Sequence, residues 1–202
     1  MTIPQRIARL DTDERGYPIP WSVLRNDDGD PFFTVNDDRK TWQALCEGLC
    51  PLCGERLGKW KWFVGGPRSA FDAHGWYIDL PGHRECMEYA LGTCPYLAAP
   101  RYLGRIDVVN PEKLPPDATL LLDRTIISDR PEVFVATASA GMETLPRGGL
   151  LQPLVRPARP LVEWTFWRHG KQITLDEALP VLRRVLGAEW EPPTEHGHGD
   201  PL

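Results

Sequence analysis

The sequence, 202 residues long, predicts an α+β fold. Three observations carry that expectation. Residues 37–49, 83–94 and 174–187 place apolar side chains at helical spacing between recognisable start and stop residues. Short apolar or alternating runs, most of them in the second half, read as strands of a small antiparallel sheet. Pro (21) and Gly (18) are frequent enough to divide the chain into short elements joined by turns.

Residues 1–36 read as an irregular segment with short strands. Ile19, Trp21 and Val23 alternate as a strand does. "RNDDGDP" has turn composition; it is not a calcium loop, because Asp38 stands where a Glu would have to close a loop begun at Asp27. "FFTV", residues 32–35, reads as a strand. The helix over 37–49 starts with acids, carries Trp42, Leu45, Cys46 and Leu49 on one face, and stops at Gly48 and Pro51. Residues 56–66 read as a strand with Lys59, Lys61 and Phe63 on one side and Trp60, Trp62 and Val64 on the other. "WYIDL", residues 76–80, is placed to pair with it. The helix over 83–94 begins near His83 and ends at Gly92 and Pro95.

The second half changes character. "ATLLLD", "EVFVATAS", "GLLQPLV" and "LVEWTFW" are separated by Pro- and Gly-rich turns, the pattern of a small antiparallel sheet or barrel. In the last run Trp164 and Phe166 share a face and Trp167 lies opposite, and exposure of one of them would mark a protein contact. "RHGK" is a tight turn. Thr174 and Glu177 form a capping box for a helix whose face is Leu175, Ala178, Leu179, Leu182, Val185 and Leu186, with Pro180 as a misfit and Gly187 as its stop. The tail, 189–202, has no apolar face and is expected to be disordered; its "HGHG" is an incidental metal binder at most.

The net charge of -5 argues against a protein that coats nucleic acid through bulk charge. There is no apolar run of membrane-spanning length and no secretory leader pattern, so a cytoplasmic location is expected. In such a reducing compartment, Cys-x-x-Cys favours metal or redox chemistry over structural disulfides.

Cys50 and Cys53 stand at Cys-x-x-Cys spacing, followed by Gly54; His83 and Cys86 stand at His-x-x-Cys spacing where a helix begins. Three thiolates and an imidazole suit structural zinc, Zn2+. The turn brings the first two sulfurs together, and residues at i and i+3 project from one side of a helix. Four protein ligands leave no open coordination position, which favours a structural ion over a catalytic one. A thioredoxin-like redox pair would need a β-α-β surround that is missing here. Cys46 and Cys94 are expected to be buried core thiols; Cys94 lies about 12 Å along the helix from Cys86, too far to share an ion.

A knuckle, a hairpin and a helix whose first turn supplies two ligands resemble the treble-clef zinc finger superfamily, over about residues 48–94. The expected organisation is a treble-clef-like zinc module at 37–100, packed against a mainly β region at 101–188 that ends in the amphipathic helix. More loosely, residues 63–67 and 83–95 are similar to bacterial and phage-encoded proteins with Cys-x-x-Cys-Gly, "FVxGP" and His-x-x-Cys … Cys-Pro, a likeness that implies no activity; a phage-encoded protein would work in the cytoplasm of its bacterial host. Treble clefs also occur in His-Asn-His nucleases, and "FDAHGW" resembles their hairpin. By that resemblance His74 would be the general base and Asp72 a ligand of a second metal. The Asn and closing His are absent, and Glu88 alone is placed to substitute. The sequence contains no nucleophile elbow, phosphate-binding loop or dinucleotide fingerprint, so no nucleotide cofactor is expected.

Arg56, Lys59, Lys61 and Arg68 surround Trp60 and Trp62. Cations with interleaved aromatics form single-strand nucleic-acid platforms, whereas alternation of the same residues is also what a half-buried strand shows. The functional expectation is a zinc-stabilised, non-enzymatic binding or adaptor protein, contacting nucleic acid through Lys59, Trp60, Lys61, Trp62 and Arg68. The alternatives are a protein-interaction module without a nucleic-acid role, and the His-Asn-His-like nuclease.

Overall fold

The computed structural model describes residues 2–98, 130–145 and 154–193. A one-turn helix, α1 (Gln5–Ala8), precedes an antiparallel hairpin of β1 (Val23–Arg25) and β2 (Pro31–Asn36). The Asn26 side chain accepts a bond from the Asp30 N–H at 2.7 Å, which closes the acidic turn between these strands. Helix α2 (Asp38–Glu47) begins where expected, with the Asp37 carboxylate accepting from the N–H groups of Arg39 and Lys40, and ends at Gly48 in the left-handed region (φ 66).

The buried face of α2 differs from the expected one. Thr41 and Ala44 point inward, Trp42 is 41% exposed, and Cys46 is exposed rather than a core thiol. The small Ala44 lets the helix approach Phe63, Tyr77 and Leu80 closely, which turns the indole and the thiol outward. Cys94, at the C-cap of α4 (Arg84–Thr93), is half-buried.

The strand after the knuckle is shorter than expected, β3 (Lys61–Gly65). Residues 76–80 do not pair along it. Pro67 opens a short helix, α3 (Pro67–Phe71), that carries the chain away, and the return makes one bridge, Trp62 with Gly82. Tyr77 instead exchanges backbone bonds with Val155 at 2.7 and 2.9 Å. β3 pairs with β4 (Phe134–Ser139), in the register Lys61 opposite Ser139 to Gly65 opposite Val135. Helix α4 and the one-turn α5 (Pro95–Ala98) lie between these strands in sequence. β5 (Met142–Leu145) pairs with β6 (Leu154–Pro157), and β7 (Glu163–Arg168) lies beside β4. A turn with His169 and Gly170 at φ 51 and 75 leads into β8 (Lys171–Ile173). The main sheet is antiparallel, ordered β3-β4-β7-β8. Helix α6 (Leu175–Leu186) follows with its capping box formed: Glu177 N–H donates to Thr174 Oγ1 and Thr174 N–H to the Glu177 carboxylate. Pro180 sits exposed within the helix without ending it.

Both faces of the sheet are covered, which is why every residue of β4 is buried. On one face Val135, Trp164 and Phe166 pack with Ala70 of α3 and Ala178, Val181 and Leu182 of α6. On the other, Trp62, Phe134 and Trp167 pack with Met87 and Leu91 of α4, and Ala136 and Ala138 leave room between the large rings. No aromatic of β7 is left on the surface: Trp164, Phe166 and Trp167 are all buried, so this strand marks no protein contact. Thr165 accepts the Trp167 indole N–H at 2.9 Å. The tail expected to be disordered from 189 is ordered at its start, where Trp190 packs on Phe71 with ring centroids 5.0 Å apart, a contact that periodicity does not show. The "ATLLLD" run, residues 149–153 of "GLLQPLV" and the rest of the tail, from 194, lie outside the described residues.

Candidate metal centre

The chain reverses tightly at residues 48–57. Cys50 N–H donates to the Glu55 carbonyl, Gly54 N–H to the Cys50 carbonyl, and Leu57 N–H to the Gly48 carbonyl, at 2.7–2.8 Å. Gly54 has φ +76, and a Cβ there would lie 2.7 Å from Trp21 Cγ, so both backbone and space call for glycine. The reversal places Cys50 and Cys53 side by side. Gly82 lets the incoming chain pass close to them, because a Cβ on it would meet Met87 Cε at 2.6 Å and Cys50 Sγ at 3.0 Å.

α4 supplies the other pair. His83 is its N-cap but makes no side-chain cap bond; its ring turns toward the sulfurs instead. Nδ1 lies 3.4 Å from Cys53 Sγ and 3.9 Å from Cys86 Sγ. Nε2–H donates to the Arg56 carbonyl at 3.1 Å, which fixes the ring and leaves Nδ1 as the atom facing the thiols. Cys86 sits in the first helical turn, where unpaired N–H groups favour an anionic sulfur. One ligand atom from each of Cys50, Cys53, His83 and Cys86 lies within 4.8 Å of the others, and all four residues are buried.

The electrostatics fit a cation. Hydrogen bonds from the Cys50 and Cys86 thiols hold the Cys53 thiol well below its usual range. Hydrogen bonds to Cys50 and Cys53 push the His83 imidazole up to about 10. The same two neighbours push the Cys86 thiol up, because a second thiolate beside the first is repelled in a buried site. A divalent ion at the centre removes that repulsion and lets all the sulfurs ionise, as zinc ligation requires. The residues present therefore fit a metal ion, and a soft, thiolate-rich set with one imidazole is consistent with Zn2+.

The remaining expected site residues are not gathered in this way. Asp72 Oδ1 accepts from the His74 N–H at 2.8 Å, so its carboxylate closes a local turn, and His74 is exposed. Among the described residues no third His, Cys, Asp or Glu joins them in a group able to hold an ion. Trp62 is 2% exposed, deep against α4, so its ring offers no stacking surface. Trp60 precedes the strand, half-buried, with Lys59 Nζ 4.5 Å from its ring centroid. Lys61 Nζ donates to the Ala140 carbonyl at 3.1 Å, and Arg68 is exposed on α3.

Sequence reasoning missed the segment that covers the centre. Ile7 of α1 packs on Cys50, Cys53 and Cys86 with Leu10, Leu57 and Tyr89 beside it. The signal was present: Ile7 and Leu10 stand at helical spacing, directly after Arg6 and Arg9, but the run is too short to stand out from irregular chain. The chain matches no protein-family model, no curated protein and no solved structure.

Proposed function

We propose that the protein is a zinc-stabilised binding module in which Cys50, Cys53, His83 and Cys86 hold a structural ion and the work is done by the surface around it. The observation that carries this reading is the burial of all four donors, none more than 8% exposed. A metal that activates water or substrate keeps a position open to solvent, and this donor set closes on itself. The ion ties the knuckle to the start of α4, an arrangement that supports the treble-clef resemblance without its hairpin.

The surface next to the knuckle suits nucleic acid best. Lys59 and Arg68 are exposed cations, and the partly exposed Trp60 ring lies under Lys59. Lys61 follows at the start of β3, Arg68 stands beyond its other end on α3, and Trp62 supports the strand from below. Basic side chains take phosphates and one indole takes a base. A salt-sensitive gel shift with single-stranded DNA or RNA, lost in Lys59→Glu/Lys61→Glu while the zinc content stays at one ion, supports this reading. No shift with single- or double-stranded nucleic acid, together with a defined protein recovered by pull-down, assigns the module to protein contacts. The exposed Tyr17, Phe33 and Trp42 favour that second reading.

A further inference from the structure

The metal centre has a cover that belongs to neither element carrying the ligands. Ile7 is 4% exposed and lies on three of the sulfur-bearing residues. On either side of it, Arg6 pairs with Glu55 of the knuckle and with Glu85 of α4, the latter at 2.8 Å, and Arg9 pairs with Glu55. The segment thus spans the seam between the two ligand pairs, with one apolar plug and cations on both banks.

We propose that residues 4–10 are a removable strap over the metal centre, whose opening sets how fast the ion exchanges with outside acceptors. The proposal rests on the zinc reading above. Three features make the strap the easiest part of the site to open. Its helix is one turn long and has no side-chain cap bond, so it has no stability of its own. Its ion pairs are about half exposed on the arginine side, where salt screens them. A hinge is in place behind it: from residue 11 the chain is held separately, by Ile19 N–H to the Asp11 carbonyl and by Asp13, whose carboxylate accepts from the N–H groups of Arg15 and Tyr17. Opening can therefore stop near Leu10 and leave the hairpin and the sheet intact. With the strap closed, Cys50, Cys53 and Cys86 are shielded from any incoming ligand; with Ile7 lifted, a chelating or thiol-bearing acceptor reaches the ion.

The test is the rate at which the zinc-loaded full chain transfers its ion to an excess of a metallochromic chelator. Ile7→Ala is expected to release zinc about tenfold faster or more, since a buried aliphatic plug is lost. Arg6→Ala/Arg9→Ala is expected to release it about two- to fivefold faster, in line with partly exposed ion pairs. Added salt is expected to speed release from the native sequence and to have little effect on the double variant. Unchanged rates in both variants, each carrying one zinc, overturn the strap and leave the zinc reading standing. Native protein that binds no zinc overturns both. If Ile7→Ala loses its near-ultraviolet dichroism, and so has unfolded, the native protein's salt response decides: release independent of salt overturns the proposal.

Discussion

Helix α4 stands between two cores of different kinds. Toward the sheet it contributes Met87 and Leu91, which pack with Trp62, Phe134 and Trp167, and the far side of that sheet carries a second apolar cluster under α6. Toward the knuckle it contributes Cys86, which meets Cys50, Cys53 and, among the described residues, one buried aliphatic side chain, Ile7. Burying one such side chain is worth about 1.5–3 kcal/mol. Ordering the backbone of a tight reversal such as residues 48–57 costs about 1–2 kcal/mol per residue. The knuckle side is much poorer in buried apolar side chains than the sheet side. On the proposed reading, one chain uses two means of cohesion, buried area on one side of α4 and a donor set built for a metal ion on the other.

The largest expected break in this contrast comes from removing the ion. Chelation of the purified protein, or Cys86→Ser, is expected to lower the Tm by about 10 °C or more, as loss of a structural ion should. Hydrogen exchange is expected to rise first at residues 48–57 and 83–86, and last in β4 and β7. Uniform exchange through both regions would mean that they form one cooperative unit. Trp62→Ala probes the opposite side: it is expected to cost about 3–5 kcal/mol in urea unfolding while the zinc content stays unchanged. Gly54→Ala strikes the knuckle without touching a ligand. Its left-handed φ and the contact with Trp21 predict a loss of about 1–3 kcal/mol and a weakened hold on the ion, read by competition with a chelator.

The smallest effect belongs to the capping box. Backbone and side-chain bonds from Thr174 hold the Glu177 carboxyl below its usual range. A folded value below the unfolded one gives stability that is present above about pH 4.5 and lost as pH falls through the folded value. Glu177→Gln is therefore expected to flatten the acid limb of the stability profile slightly, with no change in metal content. An acid limb identical to that of the native sequence would remove Glu177 from the account.

The Cys/His cluster was legible in the sequence because its two halves are local: Cys-x-x-Cys-Gly fixes one pair and a helix start fixes the other. The same holds for the capping box and for the His169-Gly170 turn. What escaped was long-range. Residues 76–80 had the composition to pair with β3, but periodicity names no partner: α3 carries the chain away, Tyr77 pairs with the distant Val155, and β3's sheet partner is β4 from a distant part of the chain. The outward turn of Trp42 and Cys46 depended on how closely Ala44 approaches Phe63, a matter of packing rather than pattern. Trp60 and Trp62 looked equivalent, yet one is half-buried ahead of the strand and the other lies in the core. Ile7 was the costliest miss. Its position over the sulfurs depends on ion pairs from Arg6 and Arg9 to partners that are remote in sequence.

The central claim is that four buried donors share one ion. Metal analysis by mass spectrometry of protein purified under reducing conditions tests it most directly. One zinc per chain is expected in the native sequence and close to none in Cys53→Ser and Cys86→Ser; a native protein with close to none, or serine variants that keep their full complement, would contradict it.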